Sequence, residues 1–358
     1  MANFYTDQAA GLRRLMGNNS VQVITLAAGC RGIGRSTLLA NFAVRLSRLG
    51  RNVLIINTNN NDNNNNNNND ELLNYFGHNN KNNNIIAKNN LANLVENKDK
   101  TSENIIIPAA TNVYILSANK LNNLFNYDVS KYNKFIESLN NFNPSIDTIL
   151  IDGYIQNTNF LPFILASQET ILLVSTTADS VSKIYHLAKQ VSQVNQSKNL
   201  CFHLLVNQIK SPNEAHFIFD KLAQVIQSRN IATLQYLGYL PFDDGIKYSA
   251  KLDEPYIIQF PNSLFSQSIN HLANTLQAWQ HQQENNNLNI ISNNISNNIS
   301  NNISNNISNN ISNNISNNIS NNKTNDKNIN KDDNKYFANI VDFFKYLQSI
   351  NINIKINK

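Results

Sequence analysis

The sequence predicts an α/β fold: a single domain on a mostly parallel sheet flanked by helices on both faces, with disordered asparagine-rich insertions. Three observations carry this. Short, nearly all-apolar runs recur along the chain, as strands buried on both faces require. Amphipathic helical stretches alternate with them, which is the pattern of parallel strands joined by helical crossovers. A glycine loop joins the first run to the first helix.

Taken in order, VQVITLAA (21–28) reads as the first buried strand and ends at the loop GCRGIGRST (29–37). The helix that follows carries Leu38, Leu39, Phe42, Leu46 and Leu49 at helical spacing, with Gly50 as its stop. RNVLIIN (51–57) is the second strand, completing a βαβ unit of nearly fixed handedness. Later strands are VYILSA (113–118), TILIDG (148–153), TILLVST (170–176), HLLVN (203–207) and LQYLGYLP (234–241). In such sheets ligands sit at the carboxyl ends of the strands.

The hydrophobic content of 41% is inflated by isoleucines scattered through asparagine tracts. Setting aside about 58–70, 78–90 and 284–334 leaves an ordered body on the order of 240 residues, the size of one domain. The expected organisation is an N-terminal segment 1–19, a domain over 20–283 interrupted at about 58–90, an ISNN-repeat linker over 284–334, and a tail over 335–358. The tracts are too polar to offset chain entropy by burial; compositional drift of an A/T-rich genome explains them, and no role is assigned. In the tail, Phe337, Ile340, Val341, Phe344 and Leu347 make one face of an amphipathic helix. Such a helix either lies on a membrane surface or packs back on the domain.

A net charge of +5, spread over 29 basic and 24 acidic residues without a dense basic block, gives no reason to expect nucleic acid. Cys30 and Cys201 lack C-x-x-C spacing, which suits a reducing cytoplasm. No apolar run reaches the roughly 18 residues of a membrane span, and the N-terminus has no signal-peptide apolar stretch. The expected location is the cytoplasm, or the inner face of the cell membrane as a peripheral protein. The six histidines are dispersed and suggest no metal site.

A glycine loop between a buried strand and a helix binds phosphate because the unpaired N–H groups of the first helical turn and the positive dipole end face it. Gly29, Gly32, Ile33 and Gly34 are therefore candidate nucleotide contacts. Arg35 can bring charge to the β and γ phosphates, and Ser36 or Thr37 can hold Mg²⁺. The cofactors implied are ATP or ADP with Mg²⁺.

The loop GCRGIGRST resembles the deviant Walker A sequence GKGGxGKTT of the MinD/ParA ATPases. Against that pattern, Cys30 replaces the signature lysine that in the family reaches a partner's nucleotide, Arg31 replaces a glycine, and Arg35 replaces the Walker lysine. Arginine keeps the charge, but its planar fork is not a point charge. The family's D-A-D at the end of strand two is here Asn57, Thr58 and Asn59. In the family the later aspartate polarises the attacking water, a task an amide at Asn59 cannot complete as a base. Asp152 stands at the Walker B position, where it would hold Mg²⁺ through water.

Within that family, DQAAGLRRL (7–15) is similar to the DQAxxLR motif of FlhG proteins (FleN/YlxH), regulators of flagellar number. The resemblance implies that Asp7, Gln8, Ala9, Leu12 and Arg13 engage the GTPase FlhF; read from the residues alone, the stretch is an amphipathic helix that docks on a partner or caps the domain. The resemblance runs through 164–189, 204–212 and 236–257. It implies that Asn207 reads the adenine edge and that Pro241 and Asp243 border the base, while Gln208 replaces a usual arginine. The expected function is a MinD-like ATP-binding regulator of flagellar number or placement, with weak or absent hydrolysis and an FlhF-type partner. The alternatives are an active, membrane-associated ATPase switch that dimerises on ATP, and a folded but idle product.

Overall fold

The computed structural model describes residues 21–58, 71–78, 106–117, 142, 144–154, 160–194, 200–249, 253–279, 337, 342–347 and 349. The chain forms two compact units, Met1–Ala273 with Asn334–Lys358, and Asn274–Asp333. Of the second, only 274–279, the end of a helix, is described. The N-terminal segment 1–19, Asn59, most of the insertion at 58–90, and the linker 284–334 lie outside the described residues.

The strands are β1 Gln22–Ala28, β2 Val53–Asn57, β3 Ile106–Ala110, β4 Val113–Ser117, β5 Thr148–Tyr154, β6 Glu169–Val174, β7 Cys201–Ile209 and β8 Thr233–Pro241. They form one eight-stranded sheet in the order β3-β4-β2-β5-β1-β6-β7-β8. Every pairing is parallel except β3 with β4. The helices are α1 Arg35–Arg48, α2 Glu71–Asn74, α3 Leu161–Ala166, α4 Ala178–Val194, α5 Pro212–Ser228, α6 Ile246–Ser249, α7 Tyr256–Gln259, α8 over 264–279 and α9 over 342–347.

All of β1 and β2 is buried, which is why these runs are continuous rather than alternating in polarity. Helix α1 buries Leu38, Leu39, Phe42 and Leu46 and ends where Gly50 takes φ 87°, the left-handed stop its sequence predicted. The edge strand β3 was not anticipated. It carries Pro108, which an edge tolerates, and turns back into β4 through Asn112 at φ 57°.

The tail corrects one expectation. Val21 N–H donates to the Phe337 carbonyl at 2.7 Å, bridging the tail antiparallel to the start of the sheet. Phe337, Phe343, Phe344 and Leu347 all belong to the main core cluster. A membrane-surface helix needs its apolar face outward, whereas these side chains are turned into the domain; Ile340 and Val341 lie outside the described residues. Phe337, Phe344 and Leu347 of that apolar face are therefore packed in the core. Among the described residues no helix is long and apolar enough to cross a membrane.

Phe344 is fully buried. Phe344→Ala is expected to cost about 3–5 kcal/mol, the usual loss for emptying a buried phenylalanine site. Urea denaturation of the full chain checks it, and an unchanged midpoint would mean that the tail does not pack on the core.

Candidate nucleotide-binding site

After Ala28 the chain turns through 29–34 and enters α1. Gly32 (φ 74°) and Gly34 (φ 84°) occupy the left-handed region that side chains resist. Gly34 caps α1 with no side-chain hydrogen bond, and the first turn carries no acidic residue. The positive end of a 14-residue helix is thus left for an anion. A Cβ at Gly32 would meet nothing within 4 Å, whereas one at Gly34 would lie 2.5 Å from Asn207 Nδ2. The loop is open at Gly32 and tightly packed at Gly34.

The packing comes from the end of β7. Asn207 Nδ2 donates to the Ile33 carbonyl at 2.6 Å, and Gln208 Nε2 donates to the Gly32 carbonyl at 2.9 Å. Asn207 Oδ1 accepts from the Gln208 N–H at 2.8 Å, and Gln208 itself holds φ 61°. Asn207, expected from the family resemblance to read adenine, is buried with its amide bonded to the loop, where carbonyls at a tight turn need donors. Gln208 braces the same loop from the position where the family has arginine.

At the start of α1, Arg35 is engaged with the end of β5. Its Nε pairs with Asp152 Oδ1, and its Nη1 donates to the Gly153 carbonyl at 3.3 Å. Both side chains are buried, Asp152 to 1% exposure. A carboxylate that deep requires a counter-charge, and breaking such a pair typically costs about 3–5 kcal/mol. Register explains the meeting: Asp152 lies beside Leu26 on β1 and Asn57 on β2, and α1 begins directly over that strand end. The expected role of Arg35, charge offered directly to the phosphates, gives way to this pair.

The other candidate magnesium ligands, Thr37 and Ser36, are neutral hydroxyls. Thr37 Oγ1 and the Tyr75 hydroxyl are 2.7 Å apart, and Ser36 is buried beside Arg35. Thr58 Oγ1 donates to the Asp152 carbonyl at 2.6 Å, and Asn57, at the neighbouring strand end, is neutral. With the Asp152 carboxylate already paired to a guanidinium, this donor set brings Mg²⁺ hydroxyls and no further carboxylate.

At the mouth, Cys30 Sγ donates to Asp179 Oδ2 at 3.1 Å, and Lys183 Nζ holds the same oxygen at 2.7 Å. Burial and the bond to Asp179 push the Cys30 thiol up. The Lys183 and Cys30 hydrogen bonds hold the Asp179 carboxyl down. A neutral thiol thus stands where the family carries a cation.

On the base side, Asp243 accepts from the Tyr256 hydroxyl at 2.7 Å and from the Gly245 N–H at 2.9 Å, next to Pro241 at the end of β8. Asn41 ties this side to the loop, donating to the Thr37 carbonyl and accepting from the Ile257 N–H, both at 2.7 Å. The geometry thus gathers Gly29, Gly32, Ile33, Gly34, Arg35, Ser36, Thr37, Asp152 and Asn207 around one strand-end turn, with Pro241 and Asp243 at the end of a more distant strand. Asn59 and residues 7–13 lie outside the described residues. Asn41, Tyr75 and Tyr256 were missed: an asparagine inside a helix hinted at Asn41, but nothing in the sequence marked the tyrosines.

Tyr256 is pushed up to about 12 from 10.0, first by burial and then by its bond to Asp243. The neutral phenol is the form the fold favours, so its contribution is complete below pH 10 and is lost as pH rises towards about 12. The stability difference between wild type and Tyr256→Phe should therefore shrink across that interval in denaturant melts. A difference independent of pH would contradict the assigned bond.

Residues 24–256 match the family model for the CobQ/CobB/MinD/ParA nucleotide binding domain. The chain is similar to the antiactivator FleN of Pseudomonas aeruginosa, 22% identical over 269 residues that cover 75% of this chain and 90% of that protein. In fold it resembles the MinD cell division protein of Aquifex aeolicus, at 18% identity and TM-score 0.53 over 72% of this chain and 97% of that one. It also resembles the septum site-determining protein MinD of Pyrococcus horikoshii OT3, solved with Mg-ADP, at 20% identity and TM-score 0.51 over 72% and 96%. With the family model spanning well over half its length, the chain belongs to the CobQ/CobB/MinD/ParA nucleotide-binding family.

Proposed function

We propose that this protein is a MinD-like regulator of flagellar number that binds ATP or ADP at the 29–37 loop, hydrolyses it weakly or not at all, and acts on an FlhF-type GTPase through residues 7–13. The observation that carries the reading is the contrast within the site. The helix end that receives phosphate is uncapped by any side chain, while the loop cation is spent on Asp152. Backbone binding is retained and charge for the transition state is not.

Supporting it, the relation to FleN extends over nearly the whole of that protein, and DQAAGLRRL stands ahead of the domain as in FlhG sequences. Hydrolysis is further weakened by Asn59 in place of an acid and by Cys30 in place of the lysine that serves a partner's nucleotide. An ATP-dependent homodimer belongs to the proposal as a binding state rather than as a catalytic one. The active ATPase switch makes the opposite demand, a mobile cation at position 35.

Steady-state phosphate release separates the two. Wild type should show no turnover above background, and Arg35→Lys with Asn59→Asp should raise it by about a hundredfold, the scale of a positioned acid–base group. Robust wild-type turnover would defeat the proposal. In a GTPase assay with an FlhF-type protein, the full chain should stimulate hydrolysis and Gln8→Ala with Arg13→Ala should abolish the effect; equal stimulation by both would remove the assigned partner contact.

A further inference from the structure

We infer that the site takes its nucleotide without a divalent cation, Arg35 filling at Asp152 the electrostatic place of magnesium. The inference rests on the nucleotide-binding reading above and goes beyond it, because it concerns which cation balances the one deeply buried carboxylate described at the loop.

Asp152 closes β5 at 1% exposure, and its strand neighbours at that level are Leu26 and Asn57, neither of which carries charge. The Arg35 guanidinium supplies the balancing positive charge at Oδ1 and is itself anchored to the Gly153 carbonyl. One carboxylate and one guanidinium leave no net negative charge on the floor of the site. A dication added there would either sit beside a like charge or have to expel a buried, hydrogen-bonded arginine.

Two of the neutral hydroxyls near the site are already bonded. Thr37 Oγ1 is shared with the Tyr75 hydroxyl, and Thr58 Oγ1 bonds a backbone carbonyl. Among the described residues no three His, Cys, Asp or Glu side chains converge to hold a metal. Arginine is suited to the substitution because it stays charged at every accessible pH and its fork can bond a carboxylate and a carbonyl at once. The phosphates then depend on what the loop retains, the amides of an uncapped helix end held in place by Asn207 and Gln208.

The test is binding of a fluorescent N-methylanthraniloyl ADP to the full chain, followed by anisotropy in excess EDTA and again in magnesium chloride. Because magnesium chelates free ADP in solution, a site that takes the nucleotide without metal should bind no more tightly in magnesium chloride than in EDTA. Arg35→Ala, checked for folding by circular dichroism, leaves Asp152 without its cation; its ratio of constants should move to about tenfold tighter in magnesium. The ratio is informative because a loop that is merely loosened weakens both buffers alike. Wild-type binding that is tight in magnesium and weaker by about tenfold or more in EDTA overturns the inference and leaves nucleotide binding standing. Absence of binding in both buffers overturns the nucleotide reading and this inference with it.

Discussion

A carboxylate at the end of a central parallel strand, screened from water by helices on both faces, cannot remain ionised without a partner. In this chain the partner is Arg35 on the first turn of α1, so one ion pair ties the first helix to the strand beside β1. Much else in the site follows from that tie. The guanidinium is engaged at the end of β5, the uncapped helix end is left to main-chain amides, and the metal position is taken. The loop carbonyls of Ile33 and Gly32 take their donors from Asn207 and Gln208 on β7.

The arrangement separates binding from turnover. Phosphate affinity at a helix N-terminus comes largely from geometry, from the left-handed glycines and the field of the helix, and these features are intact. Turnover depends on charge placed where it develops in the transition state, and here the substitutions fall: Arg35 is engaged, Cys30 is held neutral against Asp179, and Asn59 offers an amide. A regulator that reports a bound state to a partner needs the first set of features and can lose the second.

Much of this was legible in the residues. The mainly apolar runs at 21–28, 51–57 and 148–153 read as strands buried on both faces, and GCRGIGRST between the first strand and helix located the loop. Strand β3 was hidden because Ile106–Ala110 is short and broken by Pro108, and its pairing with β4 is a tertiary fact. The engagement of Arg35 was hidden for a related reason: sequence gives a cation in the loop and Asp152 at a strand end, but not that the two meet. The tail was ambiguous in sequence, since an amphipathic face serves lipid and core equally well. Phe337 bridging to Val21 and the burial of Phe343, Phe344 and Leu347 decide it for the core.

The central claim, that loop amides hold phosphate while Arg35 stays on Asp152, is tested most directly by following individual N–H groups in an NMR titration with ADP in metal-free buffer. The account predicts that the backbone amides of Gly32, Gly34 and Ser36 shift on saturation while the Arg35 Nε–H signal keeps its paired position. Movement of the Arg35 signal to a phosphate-bonded position, or amide shifts that appear only when magnesium is added, would contradict it.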